Sequence, residues 1–234
     1  MSVILKCENL TKKYGNKTAL KDINLNIESG KLVGLLGPNG SGKTTFIKMA
    51  ERLVCPTSGS IEIEGMIPGK ETKKIISYLP DKFIFDERIK VKEAIDLYKS
   101  FFDDFDENMA KELLADLKID DNDRFRALSK GTKDKVQLIL TMSRKAKLYL
   151  LDEPIGGVDP AGIDYIIKTI IANYNEEATV IIATHLISDV ENILDDVIFI
   201  KEGEIVLHKS VDAIREEEGK SVDSLFREMF KYTL

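Results

Sequence analysis

Cysteine is scarce in this chain: Cys7 and Cys55 are the two among 234 residues. One sits in a strand-like segment and one just before Pro56, with no metal or redox spacing between them. Two isolated thiols suit a reducing cytoplasm, as core or surface filler. A basic excess is also missing. Lys+Arg number 34 against 40 Asp+Glu, for a net charge of -6. The footprint that nucleic-acid binders usually leave is therefore absent, and no nucleic-acid partner is expected. No apolar run reaches the roughly 18 residues of a membrane helix, and residues 1–6 do not read as a signal peptide. The expected protein neither spans a membrane nor enters one alone. The acidic runs Asp103–Glu107 and Asp120–Asp123 lack the central Gly, alternating ligands and closing Glu of a calcium loop. They read as solvated loops with Asp as helix N-cap. Internal repeats and low-complexity tracts are absent as well.

What is present is an ordinary soluble balance, 43% hydrophobic and 32% charged, at a length that suits one large α/β domain. Its most informative stretch is Gly37-Pro38-Asn39-Gly40-Ser41-Gly42-Lys43-Thr44, which fits G-x-x-x-x-G-K-[ST], the phosphate-binding P-loop. Lys31–Leu36 before it reads as a buried strand, and Thr45–Ala50 after it as the start of a helix. An ordinary Gly-rich turn would not need those flanks. The glycines let successive backbone N–H groups point inward at an anion, and the helix N-terminus adds partial positive charge. Lys43 then reaches the β- and γ-phosphates of a nucleotide, and the Thr44 hydroxyl meets Mg²⁺.

Around the loop the pattern alternates in strand fashion over Ile4–Leu10, Ala19–Ile27 and Ser60–Gly65, with a short apolar run at Ile75–Pro80. From about Val91 to Arg144 the spacing turns helical, as an insertion in an α/β frame. Leu113, Leu114 and Leu117 share a face there. Strand-like runs return at Leu148–Leu151, Thr179–Ala183 and Asp196–Ile200 with helical stretches between. That alternation argues a parallel sheet covered on both faces. Residues 221–230 read as a short amphipathic helix. The expected fold is α/β: a P-loop NTPase core with a parallel-rich sheet, an N-terminal antiparallel β layer and an inserted helical sub-domain. The expected division of the single domain 1–234 is a core at 1–85 and 146–210, the helical insertion at about 86–145, and a helical tail at 211–234.

The apolar run Leu148–Leu151 ends in Asp152 and Glu153. A strand beside the P-loop strand would deliver Asp152 to the Mg²⁺ side of the phosphates. Glu153, one residue on, would polarise a water for in-line attack. Five ordered segments then resemble one family: Gly37–Thr45, Leu128–Thr132, Leu148–Pro154, Gly157–Asp159 and Thr184-His185. Together they are similar to the motif set of ATP-binding cassette (ABC) ATPases, over essentially the whole of Ile4–Phe230.

The resemblance implies an ATPase that uses ATP and Mg²⁺. It implies that Tyr14 stacks on adenine, and that the P-loop, Asn39 to Gly42, with Lys43, Thr44 and Thr45, holds phosphates and Mg²⁺. Asp152 becomes the Mg²⁺-side carboxylate, Glu153 the general base and His185 a contact to the γ-phosphate. Ser129 and Gly131 cap the γ-phosphate held by an opposite subunit, and Asp159 crosses the dimer interface. There are three departures from the pattern. Asp81 stands where Gln usually links Mg²⁺ to the membrane partner. Lys130 and Thr132 replace the third and fifth residues of Leu-Ser-Gly-Gly-Gln. Ile155 stands where Thr or Ser is common. The first two, and the tail with Ser224-Leu225-Phe226, resemble the exporter-type (ABC-2-like) branch. The implied protein is the ATPase subunit of an exporter, working as a homodimer or with a related cassette. It would be cytoplasmic, bound to the inner membrane face through a separate permease. A non-transport cassette of the iron–sulfur assembly type, or a nucleotide-gated binding module with little turnover, is the alternative.

Overall fold

The computed structural model describes residues 2–173 and 177–231; Met1 and the last three residues of the expected tail lie outside them. Two long strands open the chain, β1 (Val3–Tyr14) and β2 (Lys17–Glu28), joined by a tight turn in which Tyr14 pairs with Lys17. With β4 (Ser58–Ile63) they form an antiparallel sheet in the order β2-β1-β4. Its inner face carries Leu5, Leu10, Leu20, Ile23 and Ile27, which pack against the second sheet.

That second sheet has the order β5-β6-β7-β3-β8-β9. It comprises β3 (Leu32–Leu36), β5 (Ile76–Leu79), β6 (Leu148–Asp152), β7 (Thr179–Thr184), β8 (Asp196–Lys201) and β9 (Glu204–Ser210). All pairings are parallel except β8 with β9. Every residue of β3, β6 and β7 is buried. Such strands read as unbroken apolar runs because both faces are covered. One face meets the antiparallel sheet and α1 (Lys43–Ala50). The other meets α5 (Pro160–Asn173), α6 (Ile187–Val190), α7 (Val211–Glu218) and α8 (Val222–Met229). The expected 221–230 helix is α8.

Three helices, α2 (Val91–Phe101), α3 (Glu107–Asp116) and α4 (Lys130–Met142), build an apolar cluster of their own around Ile95, Leu114, Phe125, Val136 and Leu140. Phe83 and Phe85 close it from the segment after β5, with ring centroids 4.9 and 5.3 Å from that of Phe125. Asp106 caps α3 by accepting the Met109 N–H at 3.1 Å, as the acidic run suggested. Cys7 is buried and Cys55 exposed. Among the described residues no helix is long and apolar enough to cross a membrane.

One expectation is corrected. The strand that delivers Asp152 does not lie beside the P-loop strand: β7 sits between β6 and β3. All three are buried and apolar through their middles, so nothing in their composition says which two are neighbours. Because the three run parallel, their C-terminal ends still share one edge of the sheet, where α/β folds place their sites.

Candidate active site

The loop between β3 and α1 wraps around the first turn of the helix. Gly42 has φ 118, and a Cβ there would stand 2.7 Å from the Ala19 carbonyl oxygen. The backbone conformation and the close strand both require glycine. The Lys43 side chain folds back and donates to the Gly37 carbonyl at 2.7 Å and the Pro38 carbonyl at 3.3 Å. It is almost fully buried, and its Nζ also lies 3.3 Å from Glu153 Oε1. This cation is thus held at the floor of the loop.

Asp152 ends β6 in a fully buried position. The Thr44 hydroxyl donates to its Oδ1 at 3.1 Å, while Oδ2 is buried without a hydrogen-bond partner. Burial pushes the Asp152 carboxyl up to about 6; the Thr44 hydrogen bond opposes this, and the charges of Asp81 and Glu153 add to it. Buried polar atoms are normally satisfied, so an orphaned carboxylate oxygen beside a hydroxyl marks a place for a missing partner. Hard oxygen donors of this kind fit Mg²⁺. Among the described residues no group of three or more His, Cys, Asp or Glu side chains forms a metal cluster. Mg²⁺ commonly makes do with one or two carboxylates and completes its shell from phosphate and water.

Glu153 turns out of the strand with φ 52, an uncommon conformation for a residue with a side chain. Its own N–H stays in register by donating to the Ala183 carbonyl at 2.8 Å. The turn brings its carboxylate over the loop. Oε1 faces Lys43, while Oε2 accepts the Thr184 hydroxyl at 3.1 Å and lies 3.0 Å from His185 Nδ1. Three strand ends thus converge on one carboxylate.

A cleft of about 320 Å³ opens above these groups, lined by Tyr14, Asn39, Gly40, Gly42, Lys43, Thr44, Thr45, Asp81 and Glu153. Tyr14 is half exposed, with the Lys12 ammonium 4.9 Å from its ring centroid. Ser41 does not line this cleft. Its hydroxyl is buried and, like Asp152 Oδ2, without a partner. Ser129 and Gly131 lie elsewhere, at the start of α4. Ser129 is its N-cap, accepting the Thr132 N–H at 3.1 Å, and a Cβ on Gly131 would meet nothing within 4 Å. Asp159 is exposed ahead of α5 and accepts the Gly162 N–H at 2.9 Å. These three are not brought to the cleft of their own chain.

Two lining residues, Lys17 and Ala19, were not foreseen. The tight turn after Tyr14 was their signal, since it returns β2 alongside that ring. Thr184, which hydrogen-bonds Glu153, ends an apolar strand and gave no signal beyond its place before His185.

The family model described as ABC transporter matches residues 20–156. The chain belongs to the ABC transporter family. Among curated relatives, the lantibiotic transport ATP-binding protein SrtF of Streptococcus pyogenes is 33% identical over 89% of this chain and 92% of its own length. A solved structure described as the ATP binding subunit of an ABC transporter superposes with TM-score 0.87, at 26% identity, over 97% of this chain and all of that one. A dimeric post-hydrolysis state of the ATP-binding cassette MJ0796, bound to ADP and Pi, matches with TM-score 0.77 and 25% identity, over 88% of this chain and 98% of that one. The chain is an ATP-binding, ATP-hydrolysing cassette of this family, with the α/β fold expected for it.

Proposed function

We propose that this cassette powers export through a separate membrane permease, with two cassettes closing over two ATP molecules. The observation that carries the reading is the convergence of Lys43, Thr184 and His185 on Glu153 beside the Thr44–Asp152 pair. In this arrangement Glu153 is the general base, aimed at a water in line with the γ-phosphate. His185 and Lys43 hold the phosphate on either side of it. Tyr14 stacks on adenine, and backbone N–H groups from Asn39 to Thr45, the Ser41 stretch included, cradle the phosphates. Thr44 and Asp152, with Asp81 at the rim, would hold Mg²⁺, which would supply positive charge against the β- and γ-phosphates.

Ser129, Gly131 and Asp159 belong to the opposite site of a dimer, because each faces outward from its own chain. The partner cassette is a second copy or a related chain. The export direction rests on the acidic Asp81, on Ser129-Lys130-Gly131 and on the transport named for SrtF. The chain's place is cytoplasmic, on the inner membrane face when bound to its permease. Within the single domain the proposed division stands at 1–85 and 146–210 for the core, about 86–145 for the helical insertion and 211–234 for the tail.

The test is phosphate release and co-purification. The protein with Mg²⁺ should release phosphate from ATP, and a multi-helix membrane protein encoded beside it should co-purify in detergent. Binding of ATP without phosphate release in any nucleotide and metal condition, with or without that membrane protein, would leave a binding module in its place.

A further inference from the structure

Away from the cleft, buried polar side chains line up on one face of α4. Gln137 and Thr141, 2% and 0% exposed, stand four residues apart on one side of the helix, and Arg144, two residues past its end, is 3% exposed. That side meets β5 and both of its ends. Arg144 donates to the carbonyls of Ile76, Lys73 and Lys74 and pairs with Asp104. The Ser77 hydroxyl donates to the Thr141 carbonyl at 2.7 Å. At the other end, Gln137 Oε1 accepts the Ile84 N–H at 2.9 Å, and its Nε2 donates towards the Lys82 and Pro80 carbonyls at 3.3 and 3.5 Å.

The last three contacts bracket Asp81. Ladder pairing ends with β5 at Leu79, and residues 81–87 are neither helix nor strand. Asp81 is exposed at the rim of the nucleotide cleft. Its main chain is held on both sides, by a side chain that is almost wholly buried. Phe83, Phe85 and Glu87 anchor the far part of the segment, but an apolar residue at 137 would fill the same space without fixing the main chain on either side of Asp81. A hydrogen-bonded contact has one register, because any other leaves buried donors and acceptors unpaired. α4 itself begins beside Ser129. The Gln137 amide therefore ties the main chain around Asp81 to the helix behind Ser129, beside the Lys133–Glu87 ion pair further along the same segment.

We infer that Gln137 is a positioning residue: it fixes Asp81 at the cleft and locks that segment to α4. The inference rests on the proposed place of Asp81 on the Mg²⁺ side.

The experiment is binding of a non-hydrolysable ATP analogue against Mg²⁺ concentration, by calorimetry. It compares wild type, Asp81→Ala, Gln137→Met and the double variant. Asp81→Ala should raise the Mg²⁺ needed for half-maximal binding by about fivefold, the size of one net hydrogen bond. Gln137→Met should raise it by a similar factor and speed hydrogen exchange at the Ile84 amide. The double variant should match Asp81→Ala, because the second change acts only through the first. A Gln137→Met chain that loses thermal stability but keeps the wild-type Mg²⁺ curve shows packing alone and overturns the inference. Multiplying factors in the double variant overturn it too, since Gln137 would then act without Asp81. A wild-type curve for Asp81→Ala removes the Asp81 reading and this inference with it, while leaving analogue binding at Lys43 intact. If Gln137→Met does not fold, Gln137→Glu decides by the same criteria. It keeps an oxygen for the Ile84 N–H and loses the two donors.

Discussion

Replacing Glu153 by Gln should separate turnover from binding in opposite directions. The side chain keeps its shape, and an amide oxygen can still accept the Thr184 hydroxyl, so the cradle stays intact. Loss of the base should lower hydrolysis by about 10²–10⁴-fold, or about 3–5 kcal/mol of barrier. Binding should improve. Lys43 Nζ lies 3.3 Å from Glu153 Oε1, and the two side chains are 5% and 18% exposed, so solvent screens the pair little. An incoming phosphate must take the ammonium from that carboxylate. A charged hydrogen bond contributes about 1.5–3 kcal/mol net. Lys43 also keeps its bonds to the Gly37 and Pro38 carbonyls, so the gain should fall at the low end, near about 1–2 kcal/mol. ATP should therefore bind on the order of fivefold to thirtyfold more tightly. Calorimetry gives the affinity and phosphate release gives the rate. Turnover within tenfold of wild type would mean that another group is the base. Unchanged or weaker ATP binding would mean that the ion pair does not compete with phosphate.

Other perturbations test separate parts of the reading. Lys43→Ala should weaken ATP binding by about 1.5–3 kcal/mol, and an unchanged dissociation constant in calorimetry would take the phosphates away from this loop. Turnover per chain should rise with protein concentration, and Ser129→Arg alone should be inactive. Mixing it with Glu153→Gln should restore activity, because one site of the mixed dimer carries neither lesion; a linear rate with no rescue would mean that single chains work alone. Glu51, at the end of α1, is 8% exposed, and burial pushes its carboxyl from 4.5 up to about 7 against the opposing charges of Lys73 and Arg144. Between those values the folded chain keeps a proton that the unfolded chain has lost, so stability falls as pH rises from 4.5 through about 7 and then levels off. Glu51→Gln should thus stabilise the chain by about 2–3 kcal/mol at about pH 8 and by almost nothing near about pH 4.5, read from urea midpoints; a difference that ignores pH would refute the assignment.

Much of the fold could be read from sequence because local pattern and long-range structure agree. The alternation of Leu20, Ile23, Leu25 and Ile27 became one buried face of β2, and the P-loop fell between β3 and α1 as its flanks required. Strand order could not be read that way. The segments of β6 and β7 are both apolar through their middles, and pairing with β3 is a contact between distant parts of the chain. The polar seam on α4 was hidden for a related reason. Gln137 and Thr141, with Arg144 just past the helix end, look like the exposed side of an amphipathic helix until β5 is laid against them. Sequence pattern reports which residues prefer water, and it misses polar residues whose partners are main-chain groups elsewhere.

The placement of the site residues has a consequence for how the family's chemistry is divided. Lys43, Thr44, Asp152, Glu153 and His185 follow three parallel strands and meet without help from any other chain. Ser129, Gly131 and Asp159 stand apart, exposed or half-exposed, and Ser129 and Asp159 accept hydrogen bonds from the first turns of their own helices. A Gly131 side chain would meet no neighbour within this chain, so the fold of the single cassette does not explain a glycine there. The close approach of something else does, and a phosphate bound to an opposing P-loop fits that demand. On the proposed reading, the single cassette brings its phosphate and base groups together by itself but supplies only the back of its neighbour's site. On that reading, hydrolysis depends on closure of the pair, and Asp81, held against α4 by Gln137, would lie where closure and metal contact act on the same segment.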